Sequence, residues 1–319
     1  MFVYHDFNQL ELPNNKLFVS SPRSLKMIRL LSHSEIDFVK YDECIEKSMQ
    51  GKVYAMSWYL DAVSPDWSAY VVGDYDVVMP VPLKRKFGFV YALQPQFSQQ
   101  LGIFSKSWLS KLQARELVGK LPFLYRLCFN SGNMDVCAGK TARPNYVLDL
   151  STDYELLNAS FSLQCRRNVK KAKTFVQRVA EISKDEYLSF LCENAGQWMG
   201  KVQIPVLTRL IDNAISAGCA EFVAVRDVQD NVLAAVFFIR WGGRLYYLSP
   251  VSSEKGRECQ SMTFLLNDIV ERNANSSLLI DFEGSAIESI RNFYEGFGAK
   301  NESYPMLEKN MWVAKVLGK

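Results

Sequence analysis

The sequence has only two histidines in 319 residues, His5 and His33, and both lie near its start. A histidine-rich metal site is therefore excluded, and a Ser-His-Asp triad would have to use one of these two residues. The phosphate-binding patterns G-x-x-x-x-G-K-S/T and G-x-G-x-x-G are also missing, which argues against P-loop and dinucleotide chemistry. Acid–base chemistry would then depend on tyrosine and carboxylate side chains.

Cysteine pairs and long apolar runs are missing as well. The seven cysteines are scattered, without a C-x-x-C pair, which is typical of reduced thiols. The longest apolar run, residues 232–239, is far shorter than the roughly 20 residues that a membrane-spanning helix needs. No N-terminal stretch has the pattern of a secretion signal. We therefore expect a cytoplasmic protein without a membrane span, and we expect no metal.

Length and composition are those of an ordinary globular chain, with 48% hydrophobic residues and a net charge of 37 − 34 = +3. At roughly 150 residues per domain, the length predicts two domains. Residues 1–26 are polar and broken by proline, so we interpret them as an N-terminal extension, disordered or upstream of the native start. The remaining 293 residues (319 − 26) divide into domains at 27–150 and 151–319. The last strand could pack back on the first domain.

Helical and strand-like patterns alternate in both halves of the sequence. In the second half, the predicted helices are 153–175, 185–199, 205–217, 259–273 and 287–297. The predicted strands are 176–182, 222–226, 232–240, 245–248, 278–282, 304–307 and 312–316. This alternation predicts an α/β (α+β) fold in which each half has a mixed, mostly antiparallel sheet flanked by helices.

Two carboxylates stand at the end of the predicted strand 278–282. Asp281 and Glu283 are two residues apart, so both side chains should face the same side of the strand. They could serve as a general base and as an anchor for a substrate ammonium group. Alternatively, they could cap the helix that follows. Glu283 is the stronger catalytic candidate because it lies further toward the expected cleft.

The run Phe293-Tyr-Glu-Gly-Phe-Gly298 resembles the last-helix signature of GNAT-type acyltransferases. In that superfamily the tyrosine acts as a general acid toward the coenzyme A thiolate, and the resemblance assigns this role to Tyr294. A phenol can give a proton to a departing thiolate, whereas the alternative role is that of a core aromatic residue. The resemblance also implies acetyl-CoA or another acyl-CoA as cofactor. It places the cofactor-binding residues at Ser249, Val251, Gly256, Arg257 and Ser261.

The pyrophosphate loop departs from the GNAT pattern Q/R-x-x-G-x-G/A. Glu258 and Gln260 stand where the family has glycine, and a carboxylate there would repel a pyrophosphate. This departure is similar to that of Fem-type aminoacyl-tRNA-dependent peptidyltransferases, which have two GNAT domains and a degraded loop. Fem-type proteins also carry a basic helix near the domain junction, which resembles residues 166–173 here.

Two polar segments are candidates for substrate binding. On a helix, Arg167 and Lys171 share a face and could grip the phosphates of a nucleotide-linked substrate or a tRNA. The alternative is a solvated helix face. Gln94 and Gln96 lie in a loop next to aromatic residues, which suits a polar substrate, or they belong to a packed turn.

These expectations combine into an acyltransferase that moves an acyl or aminoacyl group from acyl-CoA or aminoacyl-tRNA to an amine. Backbone N–H groups near Ser249 would stabilise the oxyanion. Glu283 would assist deprotonation of the amine, and Tyr294 would protonate the leaving group. The alternative is a catalytically silent GNAT-fold module that binds a ligand or a partner, which Glu258 and Gln260 favour.

Overall fold

The structure is a computed structural model that describes residues 27–135, 141–175, 177–195, 203–284 and 287–312. The predicted extension 1–26 lies outside the described residues. So do residues 196–199 of one predicted helix and residues 313–316 of the last predicted strand.

The first half begins with a short strand and two helices and continues with a strand-rich region. Its elements are β1 (Ile28–Leu31), α1 (Phe38–Lys47), α2 (Ser57–Val63), β2 (Ser68–Val72), β3 (Val77–Val81), β4 (Leu83–Lys86), β5 (Phe89–Leu93), β6 (Phe104–Ser105), α3 (Lys111–Val118), β7 (Leu124–Cys128), β8 (Thr141–Arg143) and β9 (Tyr146–Asp149). Polar side chains start several helices: Asp37 accepts the N–H of Lys40 at the start of α1, and Ser110 does the same for Gln113 at the start of α3.

The second half contains most of the helices. Its elements are α4 (Tyr154–Ser160), α5 (Leu163–Ala172), β10 (Gln177–Glu181), α6 (Lys184–Asn194), α7 (Gln203–Ser216), β11 (Ala220–Asp227), β12 (Val232–Trp241), β13 (Arg244–Ser252), α8 (Glu254–Glu258), α9 (Ser261–Asn273), β14 (Leu279–Asp281), α10 (Glu288–Gly296), β15 (Lys300–Asn301) and β16 (Tyr304–Lys309). None of the described helices is both long enough and apolar enough to cross a membrane.

The described strands form three sheets. One has the order β1-β2-β3-β6, the second β4-β5-β7-β16-β8 and the third β10-β11-β12-β13-β14-β9-β15. Most neighbours are antiparallel, whereas β5 with β7 and β13 with β14 are parallel. The predicted α+β class with mixed, mostly antiparallel sheets is therefore confirmed.

The two halves exchange strands. Strand β9 of the first half lies between β14 and β15 in the seven-stranded sheet. Strand β16, near the C-terminus, pairs with β7 and β8 of the first half. These pairings bring residues of the two halves together, while the division of the chain at residue 150 stays a prediction.

Both faces of the seven-stranded sheet are covered, which explains the unbroken apolar run in β12. Phe237 packs on the face covered by α6, α7 and the first half, whereas its neighbour Phe238 packs on the face covered by α4, α5, α9 and α10. A strand that is buried on both faces has no polar side to alternate with its apolar side.

Two local differences from the predicted helices have simple causes. The predicted helix 153–175 is two helices, because the Ser162 hydroxyl accepts the N–H of Cys165 and begins α5 anew after α4 ends. The short helix α8 was not predicted, and it begins because the hydroxyl of Ser253 accepts the N–H of Gly256.

Candidate active site at the end of strand β14

Strands β13 and β14 part at the level of Glu283. Their parallel pairing runs from Arg244 opposite Leu279 to Tyr246 opposite Asp281, while β13 continues to Ser252. Glu283 has a backbone φ of 59°, a left-handed conformation that is uncommon for a residue with a side chain. Strained backbone of this kind is concentrated at functional sites, so the turn after β14 is the first candidate.

Contacts on both sides hold this turn in place. The N–H of Glu283 donates to Asp281 Oδ1 at 3.1 Å, and its carbonyl accepts the N–H of Tyr146 at 3.1 Å. Gly284 follows so close to the segment that leads into β9 that a Cβ there would lie 2.0 Å from the carbonyl oxygen of Pro144. The exchanged strand β9 therefore fixes the direction of the Glu283 side chain.

The Glu283 carboxyl group meets a tyrosine from the first half. The Tyr54 hydroxyl donates a hydrogen bond of 2.7 Å to Glu283 Oε1. Glu283 keeps part of its surface accessible, but its carboxyl group lies among densely packed atoms. This burial raises the pKa of Glu283 to about 8; the Tyr54 hydrogen bond opposes the rise and the charge of Asp281 adds to it. Among the described residues, no basic side chain forms an ion pair with Glu283.

Further tyrosines surround this hydrogen bond. The Tyr54 ring contacts Tyr59 and Tyr246 edge-on, with ring centroids 5.5 and 5.4 Å apart. The hydroxyl of Tyr59 donates to the carbonyl of Phe97. Burial raises the pKa of all three phenols above the usual value, so they stay neutral and can donate hydrogen bonds.

Asp281 belongs to a network of charges next to this site. Its side chain is fully buried, and its Oδ2 accepts a hydrogen bond of 2.9 Å from Arg244. Arg244 also donates to both carboxyl oxygens of Glu302, at 3.0 and 2.8 Å. Lys52 of the first half donates to Glu302 at 3.2 Å, and burial lowers the pKa of this lysine. Asp281 is thus paired with the Arg244 cation, and its predicted catalytic role stays a prediction.

Tyr294 lies on the other face of the seven-stranded sheet. Its buried ring stacks on Phe282 with centroids 4.9 Å apart, and it also contacts Tyr146 and Tyr247. Phe282 directly follows β14, and its side chain packs in the same cluster as Ile280 and Tyr294 on this face. Burial raises the pKa of the Tyr294 phenol, and the charge of Glu283 adds to this rise. Its catalytic role stays a prediction.

The segment predicted to bind a cofactor begins with a β-bulge. Between the pairs Ala235–Val251 and Phe237–Leu248, strand β13 has one residue more than β12. Ser249 lies in this bulge with a φ of 44°, and its carbonyl accepts the Tyr187 hydroxyl at 2.7 Å. Val251 is buried in the core.

Helix α8 occupies the position of the predicted pyrophosphate loop. The N–H groups of Gly256, Arg257 and Cys259 are bonded within this segment. A Cβ on Gly256 would lie 1.9 Å from the carbonyl oxygen of Leu233, so the helix packs directly on β12. The Arg257 side chain donates to the Ser252 carbonyl, and the hydroxyl of buried Ser261 donates to Gln177. These bonded N–H groups are not free to bind a pyrophosphate.

The predicted substrate-binding residues lie in two different places. Arg167 and Lys171 are exposed on α5, on the sheet face opposite the Tyr54–Glu283 hydrogen bond. Gln94 is used within its own loop, since it donates to the Ser98 carbonyl and accepts the N–H of Cys128. Gln96 is exposed. The structure therefore does not bring Arg167 and Lys171 together with the carboxylates, and the roles of all four stay predictions.

Sequence reasoning missed the residues that other parts of the chain bring to Glu283 and Asp281. They are Lys52, Tyr54, Arg244 and Glu302. The only local signal for these residues was Lys52, which stands directly before the apolar-aromatic run that begins at Val53. A lysine that is buried together with such a run needs a partner for its charge.

Several solved structures share the fold of this chain. FemX has a TM-score of 0.63 and 12% identity, and the match covers 89% of this chain and 99% of FemX. A tandem GNAT protein from the clavulanic acid biosynthesis pathway has a TM-score of 0.54 and 13% identity, with 88% and 98% covered. The C-terminal domain of a proposed lysylphosphatidylglycerol synthetase from Agrobacterium fabrum has a TM-score of 0.53 and 11% identity, with 86% and 92% covered.

Sequence comparison adds no family, because no protein-family model and no curated protein matches the chain. At 11–13% identity, a structural match is evidence of the fold and not of the activity. The predicted resemblance is confirmed at this level: the chain has the tandem GNAT fold of Fem-like proteins.

Proposed function

We propose that the chain transfers an acyl or aminoacyl group from an activated ester or thioester to an amine. The Tyr54–Glu283 hydrogen bond carries this proposal. Glu283 lies where two parallel strands part, its partner is a neutral hydroxyl, and its pKa of about 8 suits a base that works near neutral pH. Asp281 is paired with Arg244, so we do not propose it as the base.

The proposed reaction needs one proton acceptor and one proton donor. The amine nitrogen attacks the donor's carbonyl carbon, a C–N bond forms, and the carbonyl electron pair moves to oxygen. The nitrogen loses a proton to the Glu283 carboxylate. When the C–O or C–S bond breaks, the leaving group takes a proton back from Glu283. Backbone N–H groups at the Ser249 bulge are the proposed oxyanion donors.

Tyr294 is the other candidate for the returning proton. Its phenol has the chemistry, but its ring is packed behind Phe282. The proton taken from the amine is already on Glu283, whose carboxyl group the Tyr54 hydrogen bond holds in place. Returning the proton from Glu283 therefore needs less movement than donating one from Tyr294. We therefore assign proton return to Glu283, and we treat Tyr294 as the alternative that mutation separates.

For the donor we propose aminoacyl-tRNA, with acyl-CoA as the alternative. The N–H groups of Gly256, Arg257 and Cys259 are already bonded, and Glu258 adds a negative charge beside them. The exposed Arg167 and Lys171 offer positive charge to an RNA backbone. The acceptor would be a small amine, and the reaction would take place in the cytoplasm, where the six described cysteines, all free, would stay reduced.

The test is a transfer assay with both donors. Total tRNA charged with labelled amino acids, or labelled acetyl-CoA, is mixed with the full chain and with amines that include lysine peptides, amino sugars and diamines. We expect labelled amide from aminoacyl-tRNA, none from acetyl-CoA, and a loss of about a hundredfold or more in Glu283→Gln. Equal turnover by wild type and Glu283→Gln would contradict the proposal.

The basic face of α5 is tested by charge reversal. We expect Arg167→Glu with Lys171→Glu to weaken binding of aminoacyl-tRNA at low salt, because each lost phosphate contact lowers the affinity. The control is Lys111→Glu with Lys120→Glu, where Lys111 begins α3 and Lys120 lies two residues after its end. Equal weakening by both pairs would mean general attraction by charge and not a site on α5.

A catalytically silent binding module is the second candidate, favoured by the bonded N–H groups of α8. It predicts that a donor or acceptor binds and shifts the melting temperature while no product forms. It also predicts that Glu283→Gln leaves binding unchanged.

A further inference from the structure

Four large aromatic side chains are exposed at one end of the five-stranded sheet. Their exposed fractions are 78% for Phe87, 53% for Phe89, 60% for Phe123 and 66% for Trp312. We call these four residues the aromatic end. Single exposed apolar residues are common, but a group of large aromatic side chains at one place marks an interaction surface.

The sheet topology brings these residues together. Strand β5 runs parallel to β7 with Tyr91 opposite Leu124, so Phe89 and Phe123 stand just before these paired residues. Strand β16 runs antiparallel to β7, and its last residue, Lys309, lies opposite Tyr125. The beginnings of β5 and β7 and the end of β16 therefore meet at the same end of the sheet.

Contacts beyond the ladder hold this end in one arrangement. The side chain of Asn310 donates to the Phe123 carbonyl at 2.9 Å. Met311 packs against buried Tyr91 and Leu124, which fixes the position from which Trp312 extends. Phe123 and Trp312 are thus held at the same end of the sheet as Phe89.

The β4–β5 hairpin carries the outermost part of this surface. Lys86 pairs with Phe89, so Phe87 and Gly88 form the turn, with φ values of 50° and 78°. A Cβ on Gly88 would have no atom of the described residues within 4 Å, so this tip packs against none of them. Because this surface protrudes, it can insert into a binding partner, whereas a groove would enclose the partner.

The charge next to the aromatic end is positive. Lys84, Arg85 and Lys309 are exposed, and within the described ranges no acidic side chain pairs with them. The ammonium group of Lys86 lies 5.3 Å from the centre of the Phe87 ring. The neighbouring acid, Glu308, is paired with Arg126. An exposed aromatic tip surrounded by positive charge fits an anionic partner.

We propose that the aromatic end docks the protein on an anionic lipid bilayer. Phe87, Phe89 and Trp312 would enter the interface between headgroups and acyl chains, and Lys84, Arg85 and Lys309 would contact anionic headgroups. Aromatic side chains and basic residues together favour binding to such a surface. Single-stranded nucleic acid would instead need a groove that tracks its backbone, and this end of the sheet protrudes. The proposal does not depend on the proposed reaction.

The test is co-sedimentation of the full chain with vesicles. One set contains phosphatidylcholine alone and the other about one third phosphatidylglycerol. We expect binding to the anionic vesicles, weakening with added salt, and little binding to the neutral ones. Phe87→Ser with Phe89→Ser should lower the partition coefficient by about tenfold or more. Lys84→Glu with Arg85→Glu should lower the partition coefficient by about fivefold for each positive charge that is removed.

The controls separate this surface from general stickiness and from misfolding. Val39→Ser with Met49→Ser changes two residues exposed by 82% and 100% outside the five-stranded sheet, and we expect unchanged binding. All variants should keep the melting temperature of the wild type, because these side chains pack against little. The proposal is overturned if the wild type does not bind anionic vesicles or if Phe87→Ser with Phe89→Ser binds equally well. It is also overturned if the aromatic end binds poly-U RNA or mediates self-association instead.

Discussion

Asp281 and Glu283 stand two residues apart at the end of one strand, and their surroundings give them opposite properties. Asp281 is fully buried, with one oxygen on Arg244 and the other on the N–H of Glu283. Glu283 is partly exposed and its partner is the neutral hydroxyl of Tyr54. A carboxylate with both oxygens occupied by charge and backbone supports the fold, whereas one with a neutral partner and a raised pKa can exchange protons.

The largest expected effect comes from removing the partner of Asp281. Arg244→Ala leaves a buried carboxylate unpaired and should lower the free energy of unfolding by about 3–5 kcal/mol. Chemical denaturation measures this change. The matched control is Arg240→Ala on β12, whose exposed pair with Glu221 should contribute about 0.2–1 kcal/mol. Similar losses in both variants would show that Asp281 is not the buried structural acid described here.

The next effect is on the rate. Glu283→Gln keeps the shape of the side chain and removes the base, so kcat should fall about 10²- to 10⁴-fold with the fold intact. Steady-state kinetics in the transfer assay measures it. The control, Glu288→Gln on the exposed start of α10, should keep its activity. If the control variant lost as much activity, the special role of Glu283 would be refuted.

The raised pKa of Glu283 also predicts how stability depends on pH. The folded state binds this proton more tightly than the unfolded state, so wild type should lose stability as pH rises from about 4.5 to about 8. Glu283→Gln has no such loss. The free energy of unfolding of Glu283→Gln should exceed that of wild type by an amount that grows from near zero at about pH 4 to on the order of 2 kcal/mol at about pH 9. This difference is smaller than the full pKa shift would give, because Glu283 is partly exposed. Unfolding curves of both proteins across this range give the difference, and a constant difference would contradict it.

The smallest expected effects separate the two tyrosines. Tyr54→Phe removes the hydrogen bond that lowers the pKa of Glu283, so the pH–rate profile should move to higher pH with a loss of about tenfold near neutral pH. Tyr294→Phe keeps the buried ring, so activity should change by less than about threefold. A loss of tenfold or more in Tyr294→Phe alone would return the general-acid role to this residue.

The sequence predicted the fold well because the relevant signals are local. The apolar run in β12, the turns around it and the glycine-ended helix α10 all lie within single stretches of the chain. Helix α8 was missed because it is only five residues long and contains Gly256, which disfavours a helix. The break at Ser162 was missed because a capping serine inside a helical pattern also fits a continuous helix.

The site was predicted only in part because it depends on distant contacts. Asp281 and Glu283 are adjacent to a recognisable strand end, so sequence could single them out. Tyr54 is 229 residues from Glu283, and Lys52 is 250 residues from Glu302. The pairing of β9 in the seven-stranded sheet and of β16 with β7 and β8 helps to bring them together. A single sequence does not specify which distant strands pair, although it allowed the last strand to return to the first domain.

The titration of Glu283 itself tests directly whether this residue can act as the base. Carbon-13 labelling of the glutamate carboxyl groups allows each to be followed by NMR as pH changes, and Glu283→Gln identifies the signal that belongs to Glu283. We predict one glutamate carboxyl that titrates near pH 8 in the wild type and is missing in Glu283→Gln. A Glu283 signal that titrates near the ordinary value of about 4.3 would contradict the assignment of Glu283 as a base with a raised pKa.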